Sequence, residues 1–248
     1  MSGHNKWSSI KHRKGAQDAK RGKIFTKIIK EVTVAARMGG GDASANARLR
    51  RALDEARLNN MPAENLTRAI KKGTGELEGV HYEELVYEGV GPSGVLVVCE
   101  VMTDNRNRTA AELRKAFDKH HGTLGAAGSA LWAFEAKGVL VLPGNAASEE
   151  QLFEIAVGAG AEDVQNDGER WHIITPIDVL ETVREALASA KVEIASASLS
   201  KLPKLLKTLT GNEAPLAMSL VEALEDNDDV QKVYTDFELS EEALAAIS

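Results

Sequence analysis

The chain has 248 residues, of which 43% are hydrophobic and 27% charged, with a single cysteine and a formal net charge of −7. That length accommodates two or three compact domains, and the ordinary apolar share excludes a disordered or fibrous chain. No apolar run approaches the roughly 20 residues that span a bilayer, and the polar, basic opening lacks the apolar stretch of a secretory signal, so a cytoplasmic protein without a membrane partner is expected.

The net charge conceals a segregation. Residues 1–72 hold 17 Lys and Arg against 6 Asp and Glu, a net of +11, whereas residues 73–248 hold 13 against 31, a net of −18. A basic pole on an acidic body is the electrostatic footprint of a polyanion binder, because each cation placed on a phosphate releases condensed counterions.

In chain order, residues 1–22 are rich in Gly, Lys and Arg without an apolar period and read as a basic, mobile arm. A helix is expected over 23–38, with Ile24, Phe25, Ile28, Ile29, Val32, Ala35 and Ala36 on one arc and Lys23, Lys27, Lys30 and Arg37 on the other. Gly39–Gly41 should end it, with Asp42 or Ser44 capping a second helix buried through Leu49, Ala52, Leu53 and Ala56. A third helix should begin at Pro62, bury Leu66, Ala69 and Ile70, and stop at Gly73. These make a helical domain over 23–79, closed by a linker at 73–79.

Beyond the linker the pattern changes to strands and helices. Strands are expected at 82–88, 95–103 and 130–135, with a helix over 107–120 in which Thr109 and Glu112 have capping-box spacing. Residues 137–200 then read as a self-contained βαββαβ unit. Its strands fall at 139–142, 163–166, 170–175 and 192–199, and its helices at 149–158 and 176–190, the split-βαβ pattern of a ferredoxin-like sandwich. A helix at 213–227 and a strand at 230–237 need partners. They should complete the set at 80–136, making 80–136 plus 201–240 one α/β domain with 137–200 inserted in it. The fold class is thus α+β, with an all-α N-terminal domain and two ferredoxin-like α/β sandwich domains, one inserted in the other.

Candidate nucleic-acid-binding residues are Lys6, Trp7, Lys11, His12, Arg13, Lys14, Lys20, Arg21, Lys23, Lys27, Lys30, Arg48, Arg50, Arg51, Arg68, Lys71 and Lys72. Trp7 could stack on an unpaired base or fold back on the helical domain. Asp104, Asn105, Arg106, Asn107 and Arg108 form a second polar cluster. They read equally as a bidentate phosphate or base site and as a capping turn in which Asp104 pairs with Arg106 or Arg108. No histidine pair has metal-ligand spacing, no phosphate loop or nucleophile elbow is present, and Cys99 lies in an apolar run as a buried thiol. The expectation is a non-enzyme with no metal, no cofactor and no small-molecule substrate.

The stretch HNKWSSIKHRKGAQDAKRGKIFTKIIKEVTVAARMGGGD at 4–42, with NNMPAENLTRAIKKGTG at 59–75, YEGVGPSGV at 87–95, DNRNRT at 104–109 and GTLGAAGS at 122–129, resembles the YebC family. That family includes the PmpR regulators and the mitochondrial translational activator of cytochrome oxidase subunit one. Ala43 and Ala47 stand where the family pattern has prolines, and His121–Thr123 replaces a Gly-Gly-Asn turn. The resemblance implies three domains, no enzymatic activity, and one of two roles. One is a transcriptional regulator on promoter DNA; the other is a ribosome-associated translation factor on ribosomal RNA, including relief of stalling at proline-rich stretches. A protein-interaction module docking basic partners through the acidic α/β domains is the alternative reading.

Overall fold

The computed structural model describes residues 17–240 and 242–243, the side chains of 17–21 excepted. The protein is α+β and divides into two compact units, one formed by the N-terminal helices together with a four-stranded sheet, the other by Phe134–Leu206 inserted between the parts of that sheet.

Three helices open the chain: α1 (Gln17–Gly39), α2 (Ala47–Leu58) and α3 (Ala63–Thr74). Helix α1 starts at Gln17, six residues before the expected start at 23 and within the segment read as an arm, because a helical glycine such as Gly22 costs only about 1 kcal/mol and the helix is anchored by packing further along. Ile28, Val32 and Ala35 meet Leu49, Ala52, Ala56, Met61 and Ala69, with Phe25, Leu53, Leu66 and Ile70 at the margin.

The helix ends differ from the sequence expectation in ways that follow from tertiary contacts. Asn46, not Asp42 or Ser44, caps α2: its Oδ1 accepts from the Leu49 amide at 3.1 Å. Its side-chain amide donates to the Ala35 and Gly40 carbonyls at 2.8 and 2.9 Å, so one buried residue closes α1 and opens α2. Asp42 instead accepts from the amide and hydroxyl of Ser44. Pro62 is the cap residue before α3 rather than its first helical residue. Gly73 does not stop α3. The left-handed position falls on Gly75, at φ 84°, while a Cβ on Gly73 would strike the Thr33 carbonyl oxygen and come within 2.7 Å of the Ala36 Cβ. Gly73 is there so that α1 and α3 can touch.

The sheet of the same unit has the order β3-β1-β2-β9, from β1 (Glu83–Val90), β2 (Leu96–Thr103), β3 (Thr123–Leu124) and β9 (Val230–Thr235). Strands β1 and β2 are antiparallel from Glu83↔Thr103 to Val90↔Leu96. Helices α4 (Arg106–Lys119) and α7 (Glu213–Glu225) supply Leu113, Phe117, Ala217, Leu220 and Leu224 to a core with Val97, Cys99 and Val101. The strand expected at 130–135 is not in this sheet. Leu131–Ala133 is a 3-10 turn, and the chain then enters one long strand of the inserted unit. The place by β1 goes to the two-residue β3. A parallel pair, β8 (Lys207–Leu209) with β10 (Phe237–Leu239), has no counterpart in the sequence reading.

The inserted unit contains β4 (Phe134–Pro143), α5 (Glu149–Gly158), β5 (Asp163–Asn166), β6 (Arg170–Thr175), α6 (Leu180–Ser189) and β7 (Ser196–Pro203), with sheet order β5-β6-β4-β7 and antiparallel neighbours. This is the split-βαβ arrangement. Leu140, Leu142, Leu152, Trp171, Ile173, Leu180, Val183 and Leu187 form its core. Ser148 caps α5 by accepting from the Gln151 amide. The last strand begins four residues later than the apolar run, because Val192 remains in the turn, its amide bonded to the Leu187 carbonyl.

Replacing Gly73 by Ala gains helix propensity but forces a Cβ into the α1 backbone, and overpacking of that kind costs about 1–3 kcal/mol. Denaturant unfolding of Gly73→Ala should show a net loss of stability, and Gly40→Ala, where no atom lies near but φ is 83°, a smaller one.

Candidate nucleic-acid interface

The basic arc of α1, read from sequence as a phosphate-facing stripe, is instead a docking face. Lys23 Nζ meets Asp226 Oδ1 at 2.6 Å and the Asp226 carbonyl at 3.0 Å. Lys27 donates to the Glu225 carbonyl at 2.6 Å. These carbonyls end α7, where the unpaired C=O groups and the helix dipole concentrate negative charge, so two lysines act as its C-terminal caps. Val34, on the same arc, is fully buried.

Lys30 lies deepest, at 7% exposure. Its ammonium bonds Asp229 Oδ1 at 2.6 Å, the Asp228 carbonyl at 2.9 Å and the Met102 carbonyl at 3.3 Å, and lies 5.5 Å from the centre of the Tyr82 ring. All three donors of an ammonium are thereby used. Buried and with all its donors engaged, Lys30 has none to offer a phosphate.

Asp229 is the other half of this arrangement. Its Oδ2 accepts from Thr109 Oγ1 at 2.7 Å, Arg108 at 2.8 Å and Thr103 Oγ1 at 3.2 Å. Burial by itself would raise the carboxyl, but hydrogen bonds from Lys30, Arg108 and Thr109 and the Lys30 charge hold it down at about 2. This also settles the form of the 104–109 cluster. Asn105 caps α4, accepting from the Arg108 amide at 3.0 Å, and Arg108 bridges Asp104 and Asp229. Thr109 is therefore not the cap that its spacing to Glu112 suggested: it faces inward to Asp229. Asp104, Arg106 and Asn107 remain on the surface.

The other candidates divide. Arg48 is held between Glu31 at 2.7 Å and Glu84 at 2.7 Å, the hydrogen bonds it donates to Glu31 and then to Glu84 raising its already high pKa against the opposing effect of burial. Arg50 bonds the Ala43 and Ser44 carbonyls of the turn before α2. Arg37, from the same α1 arc, donates to the Tyr82 carbonyl at 2.7 Å. Arg51 is half-buried, whereas Arg68, Lys71 and Lys72 are exposed together on α3, with Arg68 paired to Glu64. Lys20 and Arg21 belong to α1, but their side chains lie outside the description, as do Lys6, Trp7, Lys11, His12, Arg13 and Lys14 altogether.

Two carboxylates that sequence reasoning missed organise this unit. Asp229 is one; its only sequence signal is its place in the acidic run Asp226–Asp229. Glu88 is the other. It is buried and receives the amides of Gly128, Ala130 and Leu131 at 2.6–2.7 Å, which fix the Gly-rich segment after β3. Burial would raise its pKa, and the three amide donors bring it below the ordinary value. Cys99 is fully buried and its thiol is pushed up to about 12 by burial, then by the Glu225 charge. Among the described residues no group of three or more His, Cys, Asp or Glu is placed to hold a metal, and no helix is long and apolar enough to cross a membrane.

Residues 5–76 match the family model of the TACO1/YebC N-terminal domain and residues 82–237 that of the TACO1/YebC second and third domain. A protein of Desulfatibacillum aliphaticivorans named a probable transcriptional regulatory protein is 53% identical over 98% of this chain and 99% of its own. A likewise named protein of Geobacter sulfurreducens is 53% identical over 98% of each. The crystal structure of a conserved hypothetical protein from Aquifex aeolicus has a TM-score of 0.84 at 46% identity, covering 92% of this chain and 95% of that one.

Removing the Asp229 charge leaves Lys30 buried against carbonyls alone, so Asp229→Asn should lower the unfolding free energy by about 3–5 kcal/mol. Because the folded carboxyl titrates near 2 against an ordinary 3.8, its contribution is complete above about pH 4 and fades as pH falls through 2. Urea titrations across that range should show the gap between wild type and variant narrowing by about 2 kcal/mol; a constant gap would mean that the charge is not what Asp229 contributes.

Proposed function

This chain belongs to the TACO1/YebC family, and from that premise we propose that it is a non-enzymatic regulator of gene expression that binds nucleic acid in the cytoplasm. The observation that carries the reading is the charge segregation: a net of +11 over residues 1–72 and −18 over the remainder. An acidic body is repelled by phosphates while the basic opening is drawn to them, which fixes orientation as well as affinity.

The contacts of α1 narrow the set of residues that does this. Lys23, Lys27, Lys30 and Arg48 answer acidic groups and carbonyls of their own chain. The positive charge assigned to a partner is that of Lys6, Lys11, Arg13, Lys14, Lys20 and Arg21 in the opening segment and of Lys71 and Lys72 on α3, with Arg68 exposed beside them although it also pairs with Glu64. Arg106 and Asn107, exposed beside the Asn105 cap, are secondary candidates.

Phosphate contacts carry no base information, so the nature of the polymer is argued from shape. A basic opening with glycines at Gly3 and Gly15 ahead of α1 suits the crevices and unpaired bases of folded RNA, where Trp7 has a base to stack on. Ribosomal RNA is accordingly the preferred target, with translation, including passage through proline-rich stretches, as the regulated step. Promoter DNA is the second reading, favoured by the names of the relatives from Desulfatibacillum and Geobacter.

Binding should be tested by filter retention with a ribosomal RNA fragment and with duplex DNA. With six to ten phosphates neutralised, affinity should fall by about 10³–10⁵ between 50 and 200 mM salt. Lys11→Glu, Arg13→Glu and Lys14→Glu together should abolish binding without moving the melting temperature. Lys27→Glu is unsuitable for that set, because it removes a cap from α7 and should lower the melting temperature. Binding that survives the triple reversal refutes the reading.

A further inference from the structure

We propose that the outer face of α5 in the inserted unit is a docking surface for a basic, amphipathic segment of a partner protein. Helix α5 turns Leu152 and Ala156 inward, both fully buried. On its other side Phe153 and Val157 are 48% and 42% exposed, and their i,i+4 spacing stacks them one turn apart on a single face. The outside of a helix in such a layer ordinarily carries polar side chains, and two large apolar ones in line are a site where something else can bury them.

The surroundings specify what that is. Glu149, Glu150 and Glu154 flank the pair on the same exposed side. Glu149 and Glu150 also complement the positive end of the α5 dipole, but Glu154 is beyond the first turn and has no such role. Glu150 and Glu154, themselves i,i+4, repel one another until a cation intervenes. The turn after α5 meets the segment that leads into α6, since Gly160 lies against Val179, and there Ile177 is exposed beside Asp178, with Glu185 exposed on α6. The only Lys or Arg on α5 and α6 is Arg184, paired with Glu181 at 2.7 Å. Across residues 134–206 there are 12 Asp and Glu against 6 Lys and Arg.

An apolar pair ringed by carboxylates repels nucleic acid and anionic membrane alike. It attracts a helix whose apolar residues recur every third and fourth position and whose flanks carry Lys or Arg, the helix-on-groove mode of recognition with charge setting the register. None of its residues is among those proposed to bind nucleic acid, so either reading can fail without the other.

The test uses the full-length chain labelled with 15N and a synthetic peptide of about 18 residues with Leu at i, i+3, i+4 and i+7 and Lys between them. Saturable shifts confined to residues 149–157 and 177–185 are expected. Phe153→Ser with Val157→Ser should weaken binding about tenfold or more, and Glu150→Gln with Glu154→Gln should weaken it and flatten its salt dependence. Both pairs are exposed, so each variant should melt as wild type and retain nucleic-acid binding. Equal binding by a scrambled peptide of the same composition, or by the double-serine variant, overturns the proposal. So does concentration-dependent self-association of the wild type in sedimentation velocity that the double-serine variant abolishes, because the occupant would then be a second copy.

Discussion

A lysine and an aspartate excluded from water hold the larger unit together. Lys30 and Asp229 are 199 positions apart in sequence and 2.6 Å apart in space. Neither charge tolerates burial alone, so each obliges the fold to bring the other. The remaining lone pairs of Asp229 are taken by Thr103, Thr109 and Arg108, which come from the end of β2 and the start of α4. Helix α1, the sheet, α4 and the loop before β9 therefore meet at one carboxylate. The C-terminal segment is part of the same unit as the N-terminal helices for this reason as much as for its strand pairing.

Around that centre the contrast between a basic start and an acidic remainder has two consequences. Part of it is internal: Lys23, Lys27 and Arg48 are matched by Asp226, the end of α7, Glu31 and Glu84. The other part carries the proposed function: Lys71 and Lys72 are exposed on α3 beside Arg68, which pairs with Glu64 of the same helix, and the side chains of the opening segment lie outside the description. An electrostatic pattern visible in a sequence thus mixes contacts within the chain with those reserved for a partner, and only the position of each ammonium separates them.

Glycine and carboxylate chemistry fix the backbone where side chains cannot. Gly73 permits α1 and α3 to approach, and Glu88 holds three amides of the segment after β3 that would otherwise need water. The inserted unit has its own core and its own four-stranded sheet, and the outer side of α5 carries the proposed docking surface.

Several features were legible in the residues themselves. The periodicity of Ile28, Val32, Leu49 and Ala52 gave the helical core, the strands expected at 163–166 and 170–175 match β5 and β6 to the residue, and Ser148 announced α5, because each depends on neighbours within a few positions. The family was legible too, in motifs that run through the whole length. What the tertiary structure alone decided were matters of distance in sequence. Residues 130–135 belong to a turn and to β4, the cap of α2 is Asn46 because it also reaches Ala35, and Lys30 faces Asp229 rather than solvent. A helical wheel shows that Lys30 lies opposite the apolar stripe. Whether that side meets water, phosphate or a carboxylate from the far end of the chain depends on what packs against it, and no local pattern encodes that.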